Sequence, residues 1–329
     1  MTTSPPTTTT PPPTTTSQID PAVYTAAHET AVLVDRSALG MLKFSGATRL
    51  DLINRMSTQA VKTLPAGAGA ATILTTDIGR VIDRLILYAT SDTVYALTGE
   101  NNADFIARYL MRFVFFNDDF QIEDLSAATA VFGVYGPQAA QKLAAAGFPE
   151  TDLPLHHWRQ AEVGGVTAYL HRADPIAGDG YLVTAQTADK EALQAHLLAA
   201  GLVAADEAAF DYLRLESGQP RFGHELTQEY IPLEANLWQD VSFKKGCYIG
   251  QEIIARLESR GKLAKRLVRL SLDEPAEPGS DILAAGKKAG TLTSIGVGPA
   301  GILGLGYVKT AVLDEKIPLQ IGETAVTVL

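Results

Sequence analysis

The sequence is poor in cysteine, which restricts both its chemistry and its compartment. Cys247 is the only cysteine in 329 residues, so an internal disulfide is excluded. One thiolate cannot by itself hold an iron–sulfur cluster or a structural zinc ion. The six histidines show no H-E-x-x-H spacing. The sequence therefore predicts a cytoplasmic protein with no metal site of its own.

Several other features that define large functional classes are missing. No apolar run approaches the roughly 20 residues that a membrane helix needs, and residues 1–18 lack both the basic start and the apolar region of a signal peptide. The formal net charge of −10 argues against a surface devoted to nucleic acid. Neither a phosphate-binding G-x-x-x-x-G-K-[ST] loop nor a G-x-S-x-G elbow occurs. We therefore expect no membrane insertion and no stable nucleic-acid binding, and nothing supports a hydrolase or nucleotide-triphosphatase.

The chain divides into four segments. Residues 1–18 are mostly Thr and Pro without a charged residue, a composition that predicts a disordered tail. Mixed helix and strand periodicities predict two successive α+β units, over residues 19–125 and 126–262. Residues 263–329 consist of short β runs broken by glycine and proline, which predicts a small antiparallel β-barrel. The predicted fold class is α+β with a C-terminal β-barrel.

Local signals place some elements within these units. Asp20 followed by Pro21 predicts the start of a helix. Residues 69–99 predict a meander of three antiparallel strands, and Asn101 is predicted to cap the helix that follows. The segment 296–301 reads GVGPAG, but the β-type residues after it argue against a dinucleotide site. We interpret it as a loop between barrel strands.

Cys247 lies within a basic cluster. The stretch KKGCYIGQE covers residues 244–252, and eight of the 27 Lys and Arg residues fall between 244 and 269. Nearby cations favour the thiolate and make a cysteine reactive, and the local positive field favours an anionic ligand tail, a phosphate or an RNA backbone. Two plainer interpretations stay open: Cys247 is a small buried hydrophobic residue, and the cluster is a solvated helix face.

Four motifs together resemble the YgfZ family, the iron–sulfur-linked branch of the GcvT-like folate-binding proteins. They are LRLESG (213–218), GHEL (223–226), IPLEANL (231–237) and KGCYIGQE (245–252). The resemblance implies a folate-binding body of two intertwined α+β units and a C-terminal β-barrel. It also implies tetrahydrofolate, or a one-carbon derivative, as the cofactor. Iron–sulfur enzymes or their assembly proteins would be the partners, including radical enzymes that modify tRNA.

The same resemblance implies the residues of the site. Asp83, in GRVIDRLILY, takes the position of the aspartate that faces folate in the aminomethyltransferases, and a carboxylate there can accept hydrogen bonds from the reduced pteridine. Asp83 and Cys247 are the implied catalytic residues. The implied cofactor-binding residues are Asp83, Arg214, Glu216, Glu225, Lys245, Tyr248, Gln251 and Glu252.

Some of these residues would bind the ligand, and others would hold the cysteine loop in place. Arg214, Glu216 and Glu225 would orient the second half of the site, and the basic cluster around Lys245 would receive the folate polyglutamate tail or dock a partner. Gln251 and Glu252 would anchor the cysteine loop by hydrogen bonds. A plainer interpretation of Asp83 is a strand-edge acid that pairs with Arg80 or Arg84.

The sequence also departs from the aminomethyltransferases. Their Gly-Tyr-Thr-Gly-Glu motif is replaced by ADPIAGDGYLV, with Asp174 or Asp179 as substitutes for the glutamate. Their arginine four residues before Arg214 is replaced by Phe210. We therefore expect a folate-binding accessory protein for iron–sulfur enzymes. One-carbon transfer to tetrahydrofolate, of the aminomethyltransferase type, is the alternative.

Overall fold

The computed structural model describes residues 17–329, apart from the side chains of Ser17 and Arg260. The predicted disordered tail lies outside the described residues except at its end, where Ser17–Gln18 form strand β1. This strand runs parallel to Gly296 and Val297. Within residues 17–329 the chain forms three sheets, with helices packed against and between them.

The first part of the chain follows its sequence pattern closely. Its elements are α1 (Pro21–Glu29), β2 (Val32–Asp35), β3 (Leu39–Ser45), α2 (Arg49–Met56), β4 (Gly69–Thr75), β5 (Val81–Ala89), β6 (Val94–Glu100), α3 (Ala103–Met111) and β7 (Gln121–Asp124). The carboxylate of Asp20 accepts the backbone N–H of Ala22 at 2.7 Å and caps α1, as predicted. The meander is confirmed, because β5 pairs antiparallel with both β4 and β6 in a sheet of order β4-β5-β6-β3-β7.

The second sheet takes one strand from the first part of the chain. Its region contains β8 (Thr129–Gly136), α4 (Ala139–Ala145), β9 (Trp158–Val163), β10 (Val166–Arg172), β11 (Asp179–Gln186), α5 (Lys190–Ala199), β12 (Val203–Ala205), α6 (Glu207–Ser217) and α7 (Gln251–Arg260). The sheet order is β12-β2-β8-β11-β10-β9. Strand β2 pairs antiparallel with β8 and parallel with β12. The two units are therefore intertwined, as expected.

The C-terminal part is a closed antiparallel barrel of six strands. Its elements are β13 (Lys265–Leu272), β14 (Asp281–Ala284), β15 (Lys287–Gly298), β16 (Gly301–Lys309), α8 (Thr310–Asp314), β17 (Leu319–Ile321) and β18 (Thr324–Val328). The order β15-β14-β17-β18-β13-β16 closes through a β16–β15 pairing. The GVGPAG segment covers the last three residues of β15, the turn at Pro299 and Ala300, and the first residue of β16, so the predicted loop between barrel strands is confined to the two turn residues.

Helix α6 is the element around which the three parts pack. All its residues from Ala209 to Leu215 are buried, a pattern typical of a helix that is covered on every side. The hydroxyl of Tyr212 donates to the carbonyl oxygen of Gly301 in the barrel at 3.1 Å. Phe210 and Arg214 instead line a cleft in the body. The helix thus fixes the position of the cleft relative to the barrel.

Candidate functional site

A cleft rich in charged side chains lies where the two sheets of the body meet the segment after α6. Strands β5 and β6, the stretch between β10 and β11, helix α6 and residues 219–226 all contribute to its lining. Because both units supply groups, the cleft depends on their intertwining. Its charged lining residues are Arg36, Asp83, Arg84, Glu100, Asp174, Arg214 and Arg221.

Asp83 is a fully buried carboxyl group in this cleft, with 0% of its surface exposed. Its Oδ1 accepts the backbone N–H of Arg84 at 2.8 Å, and its Oδ2 accepts the N–H of Gly99 at 2.9 Å and Nδ2 of Asn102 at 2.8 Å. Burial raises the pKa of Asp83 to about 7, with a further contribution from Glu100, although the three donors act in the opposite direction. Asp83 can therefore change its protonation state near neutral pH.

The plainer interpretation of Asp83 as a strand-edge acid paired with an arginine does not hold. The side chain of Arg80 donates to a backbone carbonyl oxygen at 2.6 Å. The guanidinium of Arg84 turns away from Asp83 and contacts two other carboxylates, those of Asp174 and Asp240, each at 2.6 Å. Neither Arg80 nor Arg84 therefore forms an ion pair with Asp83.

The prediction that Asn101 caps α3 is wrong by one residue. Asn102 is the N-cap residue, and its side chain makes no capping hydrogen bond. The amide of Asn102 is used for Asp83 instead. Gly99, whose N–H group also donates to Asp83, packs closely against Phe222. A Cβ atom at position 99 would lie 2.3 Å from the ring of Phe222. Only glycine fits at position 99 without a shift of that ring.

Of the two aspartates considered as substitutes for the transferase glutamate, the structure brings one to the cleft. Asp174 lines the cleft, and Arg84 holds its pKa below the usual value although burial alone would raise it. Asp179 pairs with Arg172 at 2.7 Å and is not part of the lining. Arg84 therefore joins a carboxylate from the second unit to Asp240, which precedes the cysteine loop.

A second group of charges surrounds Phe210. Arg36 lies over the ring with its Cζ atom 3.5 Å from the centroid, and its Nη2 contacts Glu100 at 2.5 Å. Arg221 donates through Nε to the same carboxylate at 2.8 Å. Nη1 of Arg36 is buried and has no hydrogen-bond partner among the described residues, with the carboxylate of Glu207 at 3.9 Å. Arg36 lines the cleft, so this unpartnered nitrogen lies close to it.

Sequence reasoning missed this second group. Arg36 directly follows an apolar strand in VLVDR, and Glu100 is the last residue of another in VYALTGE. A charged residue at the end of a buried strand was the signal that could have identified them, since burial of a charge requires a partner. Their partners lie far apart in the chain, however, so the network itself was not visible.

Arg214 and Glu225 form a buried link to the barrel. Nη1 of Arg214 donates to Oε2 of Glu225 at 2.9 Å, and Nη2 donates to the hydroxyl of Ser294 in β15 at 2.9 Å. Burial alone would raise the pKa of Glu225, but Arg214 and the Ser294 hydroxyl hold it below its usual value. Arg214 lines the cleft, whereas Glu225 is fully buried and is not part of the lining.

Glu216 is not brought to the cleft. Its carboxylate accepts the hydroxyl of Tyr24 at 2.9 Å and contacts Nε2 of His28 at 2.8 Å, both on helix α1. On an α-helix, residues two positions apart point in different directions, so Glu216 and Arg214 serve different contacts. The geometry gives Glu216 a role in holding α1 against α6.

Lys245 holds the cysteine loop to the first unit. Its ammonium donates to three backbone carbonyl oxygens, those of Asn54, Ser57 and Gln59, at 2.6, 2.7 and 2.7 Å. An ammonium has three donors, so all of them are used. Burial lowers the pKa of Lys245 to about 8. This side chain is therefore already occupied and is not placed to receive a folate tail.

The rest of the cysteine loop is fixed by backbone contacts. Tyr248 is buried, and its backbone N–H donates to Oε1 of Gln251 at 3.3 Å. Glu252 is exposed in the first turn of α7. At Gly250, where φ is +83°, a Cβ atom would lie 2.6 Å from the carbonyl oxygen of Thr76. The loop thus packs tightly on the turn between β4 and β5.

Cys247 itself is exposed, so its interpretation as a buried hydrophobic residue is wrong. Neither Cys247 nor any other residue of 244–252 lines the cleft of Asp83. The structure therefore places the two implied catalytic residues in separate environments. One is a buried carboxyl group in a cleft, and the other is a thiol on the surface.

Among residues 17–329, no group of three or more His, Cys, Asp or Glu side chains is placed to hold a metal ion. None of the helices between Pro21 and Asp314 combines the length and the apolar character that crossing a bilayer requires.

The fold and the site define a class of protein with an intertwined α+β body, a charged cleft and a closed C-terminal barrel. The family model for the GCVT N-terminal domain matches residues 15–245, and that for the CAF17 C-terminal β-barrel domain matches residues 265–329. The chain belongs to the GcvT-like family, in its YgfZ/CAF17 branch, as the motifs indicated.

Curated relatives extend over most of the chain. A chloroplastic protein of Arabidopsis thaliana, named as a transferase, is 29% identical over 92% of this chain and 71% of its own length. An aminomethyltransferase of Moorella thermoacetica is 30% identical over 82% of this chain and 75% of its own length. The crystal structure of the glycine cleavage system aminomethyltransferase T from Bartonella henselae aligns with a TM-score of 0.82 at 22% identity, over 94% of this chain and 87% of that one. The last comparison shows the fold.

Proposed function

We propose that this protein binds a reduced folate in the charged cleft and supports the assembly or repair of iron–sulfur enzymes through Cys247. The observation that carries the folate proposal is the hydrogen bonding of Asp83. A carboxylate has about four acceptor positions, and protein N–H groups occupy one on Oδ1 and two on Oδ2. One position on Oδ1 is left for an N–H group of a reduced pteridine.

Two further features of the cleft suit such a ligand. The N–H group on Nη1 of Arg36 offers a charged donor to a pterin carbonyl oxygen or to a carboxylate. The position of the transferase arginine is Phe210, yet Arg36 lies over its ring and brings a guanidinium close to the same place. Family membership supports the same ligand, because the relatives include aminomethyltransferases.

Titration with 5-formyltetrahydrofolate tests the folate proposal. We expect Asp83→Asn to weaken binding about tenfold or more, because the amide keeps the shape but loses an acceptor. Asp179→Asn is the matched control, since Asp179 pairs with Arg172 outside the cleft, and should bind like the wild type. Isothermal calorimetry gives both affinities. No binding to the wild type, or equal affinity in Asp83→Asn, would remove the basis for this site.

The role of Cys247 is a second part of the proposal. A thiolate can ligate iron or attack a disulfide, and Cys247 is exposed outside the cleft, where a partner can reach it. We expect cells that carry Cys247→Ser to lose activity of iron–sulfur enzymes, while the purified variant keeps its folate affinity. Normal enzyme activities in these cells would contradict the role of the thiol. A cytoplasmic location is part of the same proposal, although the Arabidopsis relative is chloroplastic.

One-carbon transfer is the second candidate function, and the raised pKa of Asp83 favours it. A group with a pKa of about 7 can accept or donate a proton near neutral pH. Phe210 in place of an arginine argues against this activity. Formation of methylenetetrahydrofolate from an aminomethyl donor, absent in Asp83→Asn, would establish it in place of the accessory role.

A further inference from the structure

A second cavity lies between the two sheets of the body. Its volume is about 490 Å³, within the usual range for small-molecule sites. Strands β3, β5 and β6 line one side, strands β9, β10 and β11 line the other, and residues from 125–129 and 187–188 complete the lining. Tyr88 lines both this cavity and the cleft of Asp83. We call this second cavity the aromatic slot.

Aromatic rings dominate the walls of the aromatic slot. The rings of Tyr88 and His171 lie 4.1 Å apart, and the ring of Trp158 lies 6.0 Å from that of Tyr169 and 6.4 Å from that of His171. Tyr95 completes this set from β6. These rings contact one another and so form a continuous aromatic wall. Such a wall favours a flat ring as a ligand, because offset stacking and edge contacts stabilise aromatic pairs.

The described residues of the aromatic slot offer no charge to a ligand. Among residues 17–329, apart from the two side chains not described, none that lines the slot is Asp, Glu, Lys or Arg. An ionised molecule would lose its hydration there without a compensating partner, which is strongly unfavourable. The slot therefore suits a neutral molecule and not a folate with its glutamate carboxylates.

His171, which lines the aromatic slot, carries one buried polar atom without a partner. Only 4% of its surface is exposed, and its Nε2 lies 3.0 Å from the hydroxyl of Thr184. Nδ1 is buried and has no hydrogen-bond partner among the described residues. Burial lowers the pKa of His171 to about 3, so the ring is neutral at physiological pH. Buried polar atoms are almost always hydrogen-bonded. The missing partner of Nδ1 therefore indicates a bound molecule.

We propose that the aromatic slot binds a neutral, planar, bicyclic heteroaromatic molecule whose polar ring atom forms a hydrogen bond with Nδ1 of His171. The direction of that bond follows from the tautomer. If the Thr184 hydroxyl donates to Nε2, then Nδ1 carries the proton and binds an acceptor; in the reverse case it accepts from a donor. Quinoline, an acceptor, and indole, a donor, are the two probes that distinguish these cases.

The two tryptophans make the test direct. Trp158 lines the aromatic slot, whereas Trp238 is 41% exposed, packs near Phe243 and lies outside it. In nitrogen–proton spectra of the full chain, with the two indole signals assigned through Trp238→Phe, we expect one probe to shift the Trp158 signal saturably and to leave Trp238 unchanged. Absence of a saturable shift with both probes would mean that the slot holds solvent only, and would overturn the proposal.

Variants test whether His171 selects the ligand. His171→Phe keeps a ring of similar size but removes both nitrogens, so the preferred probe should bind about tenfold more weakly. Thr184→Val removes the hydroxyl that fixes the tautomer of His171, so it should reduce the discrimination between quinoline and indole. This variant keeps the test valid if His171→Phe does not fold. Equal affinities in every variant would contradict the assignment of His171. An excess of 5-formyltetrahydrofolate should not displace the probe, and displacement would overturn the assignment of a separate site.

Discussion

Between pH 5 and pH 8, the free energy of unfolding of the wild-type protein should fall by about 2.5 kcal/mol relative to that of Asp83→Asn. Burial raises the pKa of Asp83 to about 7 in the folded state, against 3.8 as its ordinary value. Between these two values the unfolded state has released a proton that the folded state still holds. Stability therefore decreases as the pH rises through this window and becomes constant above the folded pKa.

Urea unfolding of both proteins across this pH range measures the effect. Asn at position 83 has one acceptor oxygen for the three N–H groups that Asp83 now satisfies, so the variant carries a penalty. That penalty does not depend on pH and leaves the difference in slope unchanged. Asp174→Asn is the control. Arg84 holds the pKa of Asp174 below its usual value, so Asp174 is ionised in both the folded and the unfolded state over this pH range. The difference in the free energy of unfolding between the wild type and Asp174→Asn should therefore not change with pH. Parallel curves for wild type and Asp83→Asn would contradict a raised pKa.

The same titration connects stability to ligand binding. Asp83 as a carboxylate has an acceptor position on Oδ1 for an N–H group, whereas the protonated form offers a donor. If the proposed ligand presents an N–H group, its affinity should rise as the pH increases through about 7. The destabilised, ionised form of Asp83 would then be the form that the ligand uses.

The fold could be predicted from sequence where the signals are local. The cap of α1 depends on Asp20 and Pro21, and the meander depends on strands joined by short turns, so neighbouring residues contain the information. The barrel was similarly visible in its short, evenly spaced β runs. The intertwining of the units was not visible in this way, because β2 pairs with β8, about 100 residues further along the chain. It came from the resemblance to a family.

The site was less predictable because its contacts cross the chain. The Arg36–Glu100 contact spans 64 residues and the Arg84–Asp240 contact spans 156, and no spacing rule connects such pairs. Asn102 illustrates a different limit. An asparagine before a helix predicts a cap, yet here the amide is needed by Asp83, which is the stronger requirement for a buried carboxyl group.

Lys245 shows why a basic cluster was interpreted as a ligand site. The acceptors of its ammonium are backbone carbonyl oxygens 186 to 191 residues earlier in the chain. Every residue has such a carbonyl, so the sequence contains no sign that a particular one will be the partner of a lysine. The shape of the loop therefore depends on contacts that only the folded structure reveals.

Replacing Lys245 by Met should lower the free energy of unfolding by about 2–4 kcal/mol and loosen the cysteine loop. Met keeps much of the side-chain length but removes the three charged hydrogen bonds, each of which contributes about 1.5–3 kcal/mol in isolation and less when they are lost together. Lys245→Arg should also be less stable than the wild type. The planar guanidinium cannot direct its N–H groups at the same three carbonyl oxygens as the compact ammonium does. Lys244→Met is the matched control, since Lys244 is exposed.

The single cysteine makes the mobility of this loop measurable without other substitutions. A nitroxide label on Cys247, which is exposed, should give a broad spectrum in the wild type and in Lys244→Met. In Lys245→Met the spectrum should sharpen, because the loop has lost its attachment to Asn54, Ser57 and Gln59. If the spectra and the urea midpoints of the two variants are the same, the ammonium is not what positions the thiol, and the packing of Tyr248 and Gly250 must suffice.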